Sequence, residues 1–87
     1  MRDADDRLDH VEVAVRTEAG TWPPEGYQIV PAAQRVGKML DHAATSLEIP
    51  STRGWVAVVR RRLLNPQASY SENGLRGRVQ IRYRPAR

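Results

Sequence analysis

An α+β domain, a mixed β-sheet in ββαββ order packed on one helix, is what this 87-residue sequence predicts. Three observations carry the prediction. Near the start, Val11, Val13 and Val15 alternate with Glu12, Ala14 and Arg16; near the end, Val79, Ile81 and Tyr83 alternate with Arg78, Gln80, Arg82 and Arg84. Alternation of period two is the mark of a half-buried strand. Between them lies one stretch of helical period, with Val36, Leu40, Ala43, Ala44 and Leu47 on a single stripe. Finally, "WVAVV" at 55–59 is apolar on both faces, as expected of a strand that is central in the sheet or that exposes one row to a partner.

The elements follow in order. Residues 1–9, "MRDADDRLD", read as an acidic, weakly ordered lead-in, and residues 10–84 as the folded domain. The first strand closes through "TEAG", where Gly20 can take a positive φ in a hairpin turn. "TWPPEG" reads as a loop because its prolines cannot donate to a ladder, and "GYQIV" as a second strand with Tyr27 and Ile29 on one face. Pro31 is expected to open the helix and Pro50 to stop it. In the third strand Trp55, Ala57 and Val59 share one face and Val56 and Val58 the other. Arg60, Arg61 and Arg62 fall where this strand turns, before a short return through Leu63 and Leu64. "NPQASYSENG" is rich in turn formers, the last strand runs to Arg84, and residues 85–87 form a short basic tail. The expected core is Val13, Val15, Ile29, Val36, Leu40, Leu47, Leu64, Val79 and Ile81.

Composition narrows the function classes. A chain this short buries only about 60–65% of its unfolded surface. It has no cysteine, hence no disulfide, thiol nucleophile or thiolate metal site. Its N-terminus is too acidic for a signal peptide, and no apolar run approaches the roughly 18 residues of a membrane span. A cytoplasmic domain without membrane insertion is therefore expected. The net charge of +4 conceals an asymmetry: residues 1–52 hold nine acidic and five basic side chains, residues 53–87 nine arginines and one glutamate, Glu72. Arginine's planar fork suits carboxylates and phosphates, although a GC-rich genome produces the same bias.

Two hairpinned strands, one helix and a return to the sheet define a β-grasp layout, and over residues 11–84 the chain resembles the ubiquitin-like superfamily. "VEVAVRTEAG" resembles the family's opening strand and turn, "IVP" the end of its second strand, and "VQIRYR" its arginine-bearing last strand. "WVAVVRRRLLNPQASYSENGL" is similar to its third strand, its short fourth strand with core Leu64, and a loop whose Tyr70 and Leu75 tuck beneath the sheet. The tryptophan opening this strand and the "VV" step are most similar to the YukD/EsaB group of bacterial ubiquitin-like proteins linked to type VII secretion. The resemblance implies a non-enzymatic protein serving as a modifier or a secretion-system accessory. Its partners would be activating and conjugating enzymes or a type VII component. Where modifiers of this family end in Gly-Gly, this sequence ends "RYRPAR". Conjugation would therefore require processing or atypical enzymes, with Arg87 as the point of tail linkage.

Catalysis finds little support. His10 and His42 have no metal-binding spacing around them. No nucleophile elbow is present, "ENGLRG" lacks the context of a phosphate cradle, and Asp3, Asp5 and Asp6 lack the rest of a calcium loop. No cofactor is expected. The partner-binding expectation is the outer row Val56 and Val58, flanked by Gln80, Arg82 and Arg84 and rimmed by Arg60, Arg61 and Arg62. Such a rim governs association rate and salt sensitivity. Pairing of the basic half with an acidic one would give self-association. The alternative is a basic nucleic-acid-binding domain using the arginine-rich sheet face, for which phosphate contacts supply affinity but for which no stacking aromatic is evident, Tyr83 being expected in the core.

Overall fold

A computed structural model describes residues 10–86. Six strands form one mixed sheet: β1 His10–Thr17, β2 Gly20–Trp22, β3 Gln28–Pro31, β4 Trp55–Val59, β5 Arg62–Leu63 and β6 Arg78–Pro85. The spatial order is β2-β1-β6-β4-β5, with β3 also paired to β1. The two long strands, β1 and β6, lie side by side and parallel, from Glu12–Arg78 to Arg16–Arg82. One helix, α1 Val36–Ser46, crosses one face. This is the α+β, β-grasp architecture. Among the described residues, no helix is long and apolar enough to cross a membrane.

The core is built from the inward rows of the strands and one helix stripe. Val11, Val13 and Val15 from β1, Val79, Ile81 and Tyr83 from β6 and Ala57 and Val59 from β4 meet Val36, Met39, Leu40 and Ala43 of α1. Tyr70, Leu64 and Leu75 seal one end, and Trp55 packs edge-on against Tyr83 with ring centroids 5.2 Å apart.

Several expectations need correction. Ile29 is 63% exposed, and Val30 takes its place in the core. Residues directly opposed in an antiparallel pair share a face; Ile29 opposes Glu12 and Val30 opposes Val11, so the Tyr27–Ile29 row looks outward. Leu47 is only half-buried, because it caps α1 just beyond its last helical turn; its Cδ2 lies against Gly20, where an added Cβ would stand 3.3 Å away. The prolines act differently too. Pro31 does not open the helix: it ends the edge strand β3 opposite His10, where a missing N–H goes unnoticed. The helix starts five residues later, and its first amides donate to a neighbouring loop rather than a capping side chain: Val36 N to Ala68 O at 3.0 Å and Gly37 N to Pro66 O at 2.9 Å.

The helix also ends before Pro50 acts. Glu48 takes a left-handed φ of 58°, its amide donates to Thr45 O and that of Ile49 to Ala44 O. These two bonds make a Schellman C-terminus. "TWPPEG", read as a loop, contains β2 at its start, and the Trp22–Pro23 peptide bond is cis. The last strand extends through Pro85, which opposes Trp55, and Ala86 N donates to Gly54 O at 3.2 Å. The acidic lead-in and Arg87 lie outside the described residues.

Candidate functional site

The outer face of the sheet carries the candidate surface. Pairing aligns its rows: Leu63 of β5 opposes Val58 of β4, Val58 opposes Arg82 of β6, and Arg82 lies beside Arg16 of β1. The next row sets Val56 against Arg84, and the one on the other side sets Gln80 beside Ala14. Leu63 is 66% exposed, Val56 and Val58 are half-buried, and Arg16, Arg82 and Arg84 are exposed. An apolar strip thus runs into a strip of arginines. Among the described residues the one salt bridge is Arg78–Glu12 at 3.1 Å, at the far end of the face.

That far end is more structured. Arg78 Nε and Nη2 both donate to Glu12 Oε1 at 3.2 and 3.1 Å, and the guanidinium carbon lies 4.8 Å from the centroid of the Tyr27 ring. Gln80 Nε2 donates to the Tyr27 hydroxyl at 3.2 Å. The outward turn of β3 that exposes Ile29 therefore also delivers an aromatic ring to the arginine face.

The hairpin between β4 and β5 differs from expectation in one member. Arg60 and Arg61 form a two-residue turn, both at positive φ, 52° and 72°, whereas Arg62 has already joined β5 opposite Val59. Arg62 Nη2 donates to Asn73 O at 2.8 Å. Asn73 is itself tied down: its Oδ1 accepts from Asn65 N at 2.9 Å, and its Nδ2 donates to the carbonyls of Asn65 and Ser69 at 3.0 and 2.9 Å. Ser69 and Glu72 exchange side-chain-to-backbone bonds at 3.0 and 2.9 Å, a capping box that rigidifies the same loop. Beside this hairpin a groove of about 800 Å³ opens, with Arg60, Arg62, Arg76 and Arg78 along it and Val59, Leu75 and Val79 at its base.

Of the residues expected from sequence, Val56, Val58, Gln80, Arg82 and Arg84 share this outer face, and Arg60 and Arg61 stand at its rim. Sequence reasoning passed over Leu63, Arg16 and Tyr27. Arg16 had a legible signal, its outward phase in β1; that it adjoins Arg82 depends on a parallel pairing between residues 66 positions apart. His42 is exposed on the helix and meets the Trp22 ring edge-on at 4.6 Å between centroids.

No protein-family model matches the chain, and no curated protein matches it. A solved structure of a de novo design based on ubiquitin is similar, with a TM-score of 0.66 and 16% sequence identity, over 86% of this chain and 87% of the design. The likeness is one of fold.

Proposed function

We propose that this ubiquitin-like fold serves a non-enzymatic protein that works through its outer sheet face, docking an acidic protein partner. The observation that supports this is the continuity of Leu63, Val58 and Val56 with Arg82, Arg84 and Arg16 across paired strands. An apolar strip supplies the desolvated anchor, and the adjoining cations steer a negatively charged partner. The position resembles that of the apolar patch of ubiquitin, with arginine replacing part of it. In a cytoplasmic bacterial setting the partners of this reading are activating and conjugating enzymes, for a modifier, or a type VII secretion component, for an accessory. Genes beside its own separate the two: enzyme and peptidase genes accompany a modifier, secretion ATPase and channel genes an accessory.

The test is Val58→Asp. A carboxylate in the middle of the strip repels an acidic partner and spoils the anchor, while the half-buried position tolerates the change. The expected result is an unchanged circular dichroism spectrum with loss of the partner that wild type binds, measured by calorimetry on the purified pair. A variant that folds and binds like wild type overturns the reading. If ultracentrifugation finds wild type dimeric and Val58→Asp monomeric, the partner is a second copy.

A second reading, nucleic-acid binding by the arginine face, draws support from Tyr27. Its ring beside Arg78 supplies the aromatic that single-strand binders combine with basic grooves. A salt-dependent shift with single-stranded DNA or RNA, abolished by Tyr27→Ala, would favour it over the protein partner.

A further inference from the structure

We propose that the groove beside the β4–β5 hairpin binds a short chain of phosphates, supplied either as inorganic polyphosphate or as the phosphate tail of a nucleotide. The groove exists because the sheet splays. Pairing between β4 and β6 stops at Val58–Arg82, and the chain then turns away at Arg60. From Arg78 to Ile81, β6 is paired to β1 on one side and faces the opening on the other. Into this space of about 800 Å³ come arginines from three separate segments: Arg60 and Arg62 from the hairpin, Arg76 from the preceding loop and Arg78 from β6. Among the described residues, the one carboxylate bonded to any of them is Glu12, on Arg78. A concavity lined by one sign of charge over apolar walls focuses its field on an anion.

Two of the four guanidinium groups are held in place before any ligand arrives. Arg62 is fixed by the Asn73 carbonyl, and it lies over Gly74, where a Cβ would stand 3.6 Å from both its terminal nitrogens. Arg78 is fixed between Glu12 and the Tyr27 ring. Each guanidinium carries five N–H donors in a fork that matches phosphate oxygens two at a time, so donors remain after these bonds are made. The turn itself adds a conformational argument. Arg60 and Arg61 both occupy left-handed φ, where Asn-Gly is the favoured pair and ordinary side chains are strained. The hairpin keeps one cation, Arg60, on the groove and a second, Arg61, next to it in the chain, both in a conformation that opposes them. Closely spaced phosphates also suit four arginines lining one groove better than an acidic peptide, whose same-face carboxylates along a strand stand roughly 6.6 Å apart.

The turn's strain makes a clean test, because Arg60→Asn with Arg61→Gly removes two charges while favouring the fold. Calorimetry at low salt would titrate sodium tripolyphosphate, ATP and a single-stranded thymidine oligonucleotide. Wild type is expected to bind tripolyphosphate, the turn variant to melt at the same or higher temperature yet bind about tenfold or more weakly, and Arg76→Ser to weaken binding by a similar factor. Removing two charges elsewhere, by Lys38→Ser with Arg53→Ser, is expected to change affinity less than about threefold. Tighter ATP than tripolyphosphate assigns the nucleotide as source, the reverse free polyphosphate; either supports the site. Absence of binding by wild type, equal losses in the two double variants, or an oligonucleotide that binds more tightly than both phosphate probes would overturn it.

Discussion

Tyr70 shows how one side chain can be both well packed and chemically constrained. It is fully buried, its carbonyl accepts from the amides of Asn73 and Leu75 while its own amide donates to Gln34 O, and its buried hydroxyl has no hydrogen-bond partner among the described residues. Burial pushes its pKa from the ordinary 10.0 up to about 12, because the phenolate would have to exist out of water. The folded state therefore holds this proton more tightly than the unfolded chain. The contribution to stability is complete below pH 10 and is lost as pH rises from 10 through 12, a fall of roughly 3 kcal/mol at its full extent. Tyr70→Phe should match or exceed wild-type stability at neutral pH, since it deletes a buried polar group left unsatisfied among the described residues. It should also lose less stability than wild type between pH 10 and 12 in urea titrations. Identical alkaline curves for the two proteins would contradict the assignment.

At the scale of elements, helix α1 is governed more by its neighbours than by its own capping residues. Its N-terminal amides find carbonyls of the 66–68 loop, where Gly37 allows close approach: a Cβ there would lie 3.0 Å from Pro66 O. Its C-terminus uses the Schellman geometry with glutamate in the left-handed position. Glutamate is doubly unsuited to that place, by its Cβ and by its negative charge at the negative end of the helix dipole. Glu48→Gly should raise stability by about 0.5–1 kcal/mol, even after glycine's greater freedom in the unfolded chain is counted. In a domain of this size that is an increase of roughly 2–8 °C in Tm, which a thermal melt would read directly; a lower Tm would mean that the two terminal bonds are weaker than their geometry implies.

For the whole molecule, stability rests on one layer of side chains between helix and sheet. Leu40 lies at its centre, 2% exposed, among valines of β1 and the inward row of β6. Leu40→Ala should cost about 2–5 kcal/mol, a large part of what a small domain possesses, and chemical denaturation should show it as a lowered midpoint with unchanged slope. A loss below about 1 kcal/mol would mean that the helix contributes little to the packing. On the outer face Val56 and Val58 are half-buried, and Leu63, Arg16, Arg82 and Arg84 are exposed. These arginines and the exposed leucine are therefore open to use in binding.

By itself, the sequence determined the strands with strict alternation, the one amphipathic helix and the polar outward row of β6, because periodicity is a local property and needs no knowledge of partners. From these the β-grasp order followed, and with it the face bearing Val56, Val58, Gln80, Arg82 and Arg84. Tertiary structure decided the face of β3, where "QIV" alternates equally well either way and only its pairing to β1 buries Val30 and turns Ile29 out. It decided the beginning of the helix, since Pro31 satisfies an edge strand and a helix start alike, and loop carbonyls far along the chain bind the first amides. It decided, too, which arginines stand together. Arg16 meets Arg82 through a parallel register, and Arg60, Arg62, Arg76 and Arg78 meet where the β4–β6 ladder ends. Such meetings depend on hydrogen-bond register between distant segments, which no local pattern encodes.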